Sequence, residues 1–110
     1  MNYFFKHGEA PVQHPEPGTE RRIMAYCEPL MVCELSFKKG TASALHQHPH
    51  EQITYVVRGS LKFSVGGQVQ VVQGGDALYM PAGVEHGLLE ALEDSLIVDT
   101  FSPRRADFLK

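Results

Sequence analysis

Three histidines and one glutamine in this sequence have the spacing of ligands to a single metal ion. His46, His48 and Gln52 lie in one segment, and His86 follows a separate turn at Pro81. Side chains two residues apart point to the same face of a β-strand, so an extended segment would bring the first three together. We expect His86 to join them from a second strand. A mononuclear site of this kind leaves coordination positions open for water or substrate, as catalytic metal sites require.

The same segment allows a second interpretation. Any one of these histidines, taken alone, is better explained as a partly buried residue satisfied by hydrogen bonds. Pro49 could also interrupt the strand that would carry Gln52. His50 has the spacing of a ligand, but it lies between Pro49 and Glu51, so we expect it to face solvent or to support the ligands from outside. The set as a whole favours the metal site.

The elements that must position these residues are short β-strands. Each predicted strand alternates, or is enriched in β-branched or aromatic residues, and lies between turn residues. The predicted strands are 30–38, 53–58, 61–65, 68–72, 77–80, 86–91 and 95–101. Gly66–Gly67 is a two-residue hairpin loop, and a short helical turn is expected over 103–109. This pattern predicts an all-β fold, an antiparallel sandwich or jelly-roll β-barrel.

Length and composition fit one domain. The chain has 110 residues, of which 43% are hydrophobic, and this is enough for one core. We expect a single domain over 1–110, with an irregular N-terminal arm at 1–20, the ligand motifs within 40–90, and the last strand and C-terminal segment at 95–110. Tyr3, Phe4 and Phe5 of the arm could cover a sheet edge of this chain or of a second copy, so a homodimer is expected.

Charge and hydropathy exclude two classes of partner. The net charge is −3, and only the pairs Arg21–Arg22, Lys38–Lys39 and Arg104–Arg105 approach the clustered basic surface that nucleic acid requires. Such pairs are usually solvated surface, although two of them could receive a small anion. No apolar run is long enough to cross a membrane. The N-terminus lacks the apolar region of a secretion signal, so we expect a cytoplasmic location. Cys27 and Cys33 do not form a CxxC motif, and in a reducing compartment each is expected to be a small core residue.

Asp99 is a candidate acid/base. Alternation in SLIVDTF places Ile97, Asp99 and Phe101 on one face, and the other face is also largely apolar. Burial disfavours ionisation, and this is how a carboxyl group is tuned for proton transfer near neutral pH. The alternatives are a surface aspartate on an edge strand, or one paired with Arg104 or Arg105.

The two ligand motifs resemble those of the cupin family. The first motif is carried by Gly40, His46, His48, Gln52 and Gly59, and the second by Gly75, Pro81, Gly83 and His86. Gln52 stands where the family usually has glutamate, and Glu90 stands where it usually has asparagine. The resemblance implies a single cupin domain with the jelly-roll β-barrel fold.

The C-terminal segment LIVDTFSPRRADFL narrows the resemblance. Together with glutamine at the third ligand position, it is similar to the pectin-degradation cupins of the KdgF type. Those proteins convert 4,5-unsaturated monouronates, released by pectate or alginate lyases, from the cyclic to the linear ketonised form. The site that the resemblance implies has metal ligands at His46, His48, Gln52 and His86, an acid/base at Asp99, and substrate contacts at Phe101, Arg105 and Gln52.

The implied protein is a metal-dependent, isomerase-like enzyme. It would hold one divalent ion, for which nickel, zinc, cobalt, iron and manganese all suit three histidines and an amide, and would take a small anionic sugar as its substrate. Two alternatives remain open. One is a metal-dependent cupin dioxygenase, which the carboxylate-free ligand set makes weaker. The other is a non-catalytic sugar-binding cupin that acts through a partner.

Overall fold

The computed structural model describes all residues from 1 to 110. The chain forms nine β-strands. The strands are β1 (Val12–Gln13), β2 (Thr19–Tyr26), β3 (Met31–Phe37), β4 (Glu51–Arg58), β5 (Ser60–Val65), β6 (Gln68–Gln73), β7 (Ala77–Met80), β8 (His86–Ala91) and β9 (Ser95–Ser102). Short 3-10 helices lie at His7–Glu9 and Ala106–Leu109. None of the helices is long and apolar enough to span a membrane. The predicted all-β class is confirmed.

The strands form two antiparallel sheets. The larger sheet has the order β1-β2-β3-β9-β4-β7 and the smaller one has the order β6-β5-β8. Along β3 and β9 every second residue is buried, because each of these strands turns one face towards the smaller sheet. The apolar side chains of the inward faces, among them Met31, Leu61 and Ile97, form one core.

The seven predicted strands are all present, with ends shifted by at most two residues. The Gly66–Gly67 hairpin loop is also present, with φ angles of +56° and +81° that match the turn required. The predicted C-terminal turn is the 3-10 helix Ala106–Leu109. Both cysteines are free, but only Cys33 is buried. The expectation of a core position for Cys27 was therefore wrong.

Two strands were missed by the sequence analysis. β1 lies inside the predicted arm, and β2 begins at Thr19, so residues 19 and 20 are strand and not irregular arm. The inward positions of β2 begin with Thr19 and Arg21 before the apolar Ile23. Two polar residues on the inward face hide the alternation that marked the other strands.

Gly59 and Gly40 differ in how much space surrounds them. Both have left-handed backbone, with φ of +102° and +90°. A Cβ at Gly59 would lie 2.7 Å from the backbone Cα of Ser95, whereas one at Gly40 would meet nothing within 4 Å. We expect Gly40→Ala to cost about 1 kcal/mol of unfolding free energy through its positive φ. Gly59→Ala should cost roughly 3 kcal/mol or more, because the backbone must also shift. Urea unfolding measures both variants, and equal costs would contradict the prediction.

Candidate active site

The backbone brings three histidines together. His46 and His86 form an isolated antiparallel bridge, with N–H···O distances of 2.9 and 2.8 Å in the two directions. This bridge ties the loop before β4 to the start of β8. The ligand atoms of His46, His48 and His86 lie within 4.8 Å of one another, which is close enough for one ion to bind all three.

Each of the three imidazoles is oriented by a backbone carbonyl two residues away. The acceptors of the Nδ1 protons are Ala44 for His46, His50 for His48 and Val84 for His86, at 2.9, 3.0 and 3.0 Å. An Nδ1 that donates to a carbonyl leaves the lone pair of Nε2 free, and this is the arrangement found in histidines that bind metals. The buried Nε2 of His86 has no hydrogen-bond partner. Burial also lowers the pKa of His86, which favours its neutral, ligating form.

Gln52 completes the cluster. The chain bends at Pro49 and β4 begins at Glu51, so Gln52 lies on the inward face of β4 and is buried. Its Oε1 is 2.9 Å from Nε2 of His48. Because Nδ1 of His48 donates to the carbonyl of His50, Nε2 of His48 carries a lone pair and faces another acceptor, Oε1 of Gln52. A cation or a proton between these two atoms would make the contact favourable. All four predicted ligands therefore lie together, and a divalent ion fits their donor set.

A hydrogen-bonded chain connects this cluster to Asp99. Nε2 of Gln52 donates to Oγ1 of Thr54 at 3.1 Å, and Oγ1 of Thr54 donates to Oδ1 of Asp99 at 2.5 Å. Thr54 is fully buried. The sequence analysis did not identify Thr54, because threonine is common in β-strands and its residue type alone does not indicate a functional role. Its position makes it the link between a predicted metal ligand and the predicted acid/base.

Asp99 is buried in the middle of the larger sheet. It is 5% exposed, and β9 lies between β3 and β4. The alternative of a surface aspartate on an edge strand is therefore wrong. The pairing with Arg104 or Arg105 is also wrong, since the ion-pair partner of Arg105 is Asp107.

Burial raises the pKa of Asp99 to about 6, from an ordinary value of 3.8. The hydrogen bond from Thr54, the nearby amide of Gln52 and the charges of Arg105 and Arg21 lower this pKa without cancelling the effect of burial. The thiol of Cys33, which pairs with Asp99 across β3 and β9, has its pKa raised to about 12 by burial first and by the aspartate second. It is therefore protonated and inert at neutral pH.

In the metal-free protein, Asp99 should make folding less favourable as the pH rises from about 4 to about 7. Between the ordinary pKa and the folded value of about 6, the folded state holds a proton that the unfolded chain releases, so stability falls with rising pH. The full effect corresponds to about 3 kcal/mol. Urea unfolding is measured for both proteins in the presence of a chelator. The free energy of unfolding of Asp99→Asn, relative to that of wild type, should increase as the pH rises across this range. Other titrating groups are common to both proteins, and a difference that does not change with pH would contradict the prediction.

A cavity of about 350 Å³ is lined by residues of the histidine cluster and by Asp99. Its wall includes His46, His86, Gln52, Asp99, Phe101 and Arg105. Thr54, Arg21 and Phe108 also line it, although the sequence analysis singled out none of them as site residues. His50 lies outside the three-histidine cluster and supports it, since its carbonyl orients His48.

Comparison with known proteins identifies the protein family. A family model for the cupin domain matches residues 33–98, so the two-sheet barrel and its histidine cluster are those of a cupin. An RmlC-like cupin from Shewanella frigidimarina NCIMB 400 superimposes with a TM-score of 0.91 at 30% identity, covering 98% of this chain and 96% of that one.

Two further relatives narrow the class. The pectin degradation protein KdgF of Dickeya dadantii is 36% identical over 110 residues, which are 99% of this chain and 100% of that protein. The structure of KdgF from a Halomonas species has a TM-score of 0.90 and 38% identity, and covers 98% of this chain and 99% of that one. The chain belongs to the KdgF family of cupins.

Proposed function

We propose that this protein converts 4,5-unsaturated monouronates, the products of pectate or alginate cleavage, to linear ketonised uronates. The similarity to a pectin degradation protein supports the substrate class. The observation that carries the proposal is that a buried carboxyl group, Asp99, lies on the wall of the cavity that His46 and His86 of the cluster also line. Burial raises the pKa of this carboxyl group to about 6, and a group that titrates near neutral pH is suited to moving a proton.

The reaction is an isomerisation that needs one proton moved. The unsaturated uronate is an enol ether joined to a hemiacetal. Its ring opens when the C1–O5 bond breaks, the C1 hydroxyl loses its proton and C4 gains one, which leaves an aldehyde at C1 and a ketone at C5. Atoms and electrons balance within the sugar, so no oxidant or reductant is required.

Each residue of the cavity has a proposed part in that reaction. Asp99 moves the proton, with Oδ1 held in place by the hydroxyl of Thr54; general acid/base transfer of this kind contributes about 10²–10⁴-fold. His46, His48, Gln52 and His86 would hold one divalent ion. An ion bound by neutral ligands would keep its full charge and would supply Lewis acidity to the site. Gln52, Phe101 and Arg105 are the proposed substrate contacts.

The direct test is turnover of unsaturated galacturonate by the purified protein loaded in turn with nickel, zinc, cobalt, iron and manganese. Loss of the conjugated double bond is followed by ultraviolet absorbance. We expect the loss to be faster than in the absence of protein and to stop when the ion is chelated. If no metal gives turnover, the proposal is wrong. Oxygen uptake would then identify a dioxygenase, and sugar binding without turnover would identify a binding protein.

We also propose that the protein is a homodimer in the cytoplasm. Tyr3 and Phe4 of the arm are 75% and 76% exposed, and Ile53 and Tyr79 form an exposed apolar pair on the outer face of the larger sheet. A second copy would cover apolar surface of this kind. Light scattering should give twice the chain mass of 12.2 kDa. A monomer at micromolar concentration would contradict the dimer.

A further inference from the structure

Arg21 differs from the other arginine of the cavity in having no ion-pair partner. Arg21 and Arg105 both line the cavity, but only Arg105 lies within ion-pair distance of a carboxylate. Arg21 projects from the inward face of β2, between the buried Thr19 and Ile23. Burial lowers the pKa of its guanidinium, because the group has lost part of its hydration without gaining a carboxylate in contact.

Two neighbours fix the guanidinium of Arg21. Its Nε donates to Oε1 of Gln13 on β1 at 2.8 Å, and Nε2 of Gln13 donates in turn to the carbonyl of Phe108 at 2.8 Å. The guanidinium carbon lies 3.5 Å from the centre of the Phe108 ring, within stacking distance. The side chain is thus held at Nε and over its flat face, while its terminal nitrogens hydrogen-bond to no protein atom.

Arg105 also lies against the ring of Phe108, with its guanidinium carbon 4.2 Å from the ring centre, but it differs from Arg21 in its polar contacts. Its Nε and NH2 donate to the two carboxylate oxygens of Asp107, at 3.1 and 2.9 Å. This bidentate pair occupies one edge of the guanidinium and compensates its charge. The cavity therefore contains one arginine whose charge is compensated by a carboxylate of the chain and one, Arg21, that has no carboxylate partner and no hydrogen bond on its terminal nitrogens.

We propose that Arg21, held by Gln13 and Phe108, forms a carboxylate-binding subsite of the cavity and binds the carboxylate of the uronate. A planar carboxylate can accept two parallel N–H···O bonds from the free terminal nitrogens. The ligand's identity rests on the proposed function, but the chemistry of the subsite suits a planar carboxylate in general. The subsite would select uronates over neutral sugars with the same ring.

The strand provides a matched control for this proposal. Arg22 is the next residue on β2, points to the outer face and pairs with Glu20 at 3.3 Å. Replacing either arginine with glutamine removes one positive charge from the same strand, but only Arg21→Gln removes it from the cavity. Arg21→Lys keeps the charge and loses the fork. Metal content and circular dichroism of each variant show whether the protein is folded and loaded.

The test measures binding of D-galacturonate and of neutral D-galactose to the metal-loaded protein by calorimetry or NMR titration. Wild type should bind galacturonate more tightly than galactose. Arg21→Gln should weaken galacturonate binding about 10- to 100-fold, which is the range expected for charged hydrogen bonds. Arg21→Lys should fall between that variant and wild type, and Arg22→Gln should stay within twofold of wild type. Galacturonate binding by Arg21→Gln within twofold of wild type would overturn the subsite, as would a wild type that does not distinguish the two sugars.

The same proteins separate this inference from the proposed function. Arg21-dependent binding of galacturonate without turnover of unsaturated galacturonate would leave the subsite standing and refute the isomerase. Turnover that is unchanged in KM and kcat by Arg21→Gln would support the isomerase and refute the subsite.

Discussion

Replacing Asp99 with asparagine should reduce kcat for unsaturated galacturonate by on the order of 10²-fold or more. Asparagine keeps the size of the side chain and an oxygen that can accept the hydrogen bond from Thr54, but it cannot take up or release the proton. The effect should fall on kcat because the lost function is proton transfer and not substrate capture. Initial rates over a range of substrate concentrations and pH values measure it.

The control for this variant is Asp94→Asn, the same chemical change at an exposed aspartate outside the cavity. Asp94 accepts a hydrogen bond from the backbone of Lys39, which asparagine can also accept. We expect wild-type rates for this control and unchanged metal content in both variants. If Asp99→Asn stays within a few-fold of wild type at every pH, another group carries the proton.

The protein should contain about one divalent ion per chain, and His48→Ala should lose most of it. The ring centre of His48 lies 4.8 Å from that of His86 and 6.1 Å from that of His46, and its Nε2 faces Gln52, so His48 contacts both a second histidine and the amide of the cluster. Removing one of four ligands costs a strong bond and leaves the remaining donors without a complete site. Elemental analysis of dialysed protein gives the number of ions per chain.

His50→Ala is the matched control for the metal site. His50 is two residues from His48 in the sequence and its ring lies 5.4 Å from that of His48. It lies outside the cluster, and alanine keeps the carbonyl that orients His48. This variant should retain its ion. Full occupancy in a His46→Ala/His48→Ala double variant would show that the ion is bound elsewhere.

The sequence predicted those parts of the fold that follow from alternation and turn residues. β3 alternates cleanly, so its inward face could be assigned from the sequence. Both faces of β9 are largely apolar, and the outward residues of β4 are more apolar than its inward ones, so the inward positions of Asp99 and Gln52 became clear only from the structure. β2 was missed because Arg21 occupies an inward position that a core would give to an apolar residue. Functional residues on inward faces break the pattern that reveals strands.

Only part of the candidate site could be predicted from the sequence. Ligand spacing identified the histidines, since few other arrangements produce it. The interpretation of the Arg21–Arg22 pair as solvated surface was wrong for Arg21, because a pair of like residues on a strand necessarily points to opposite faces and the sequence did not show which one lined the cavity. Thr54 could not be found, because its role depends on the distances to Gln52 and Asp99 and not on its type.

The carbonyls that orient the three imidazoles belong to the backbone, and the bridge between His46 and His86 is itself a backbone contact. A receptor assembled in this way does not have to fold around its ion, in contrast to small zinc domains. Loading and removal of an ion would then be reactions of a protein that is already folded. Nitrogen and oxygen ligands rank first-row ions by an order that the ions themselves set, so if the site binds an ion as proposed, the metal supply of the cell would decide which ion it is.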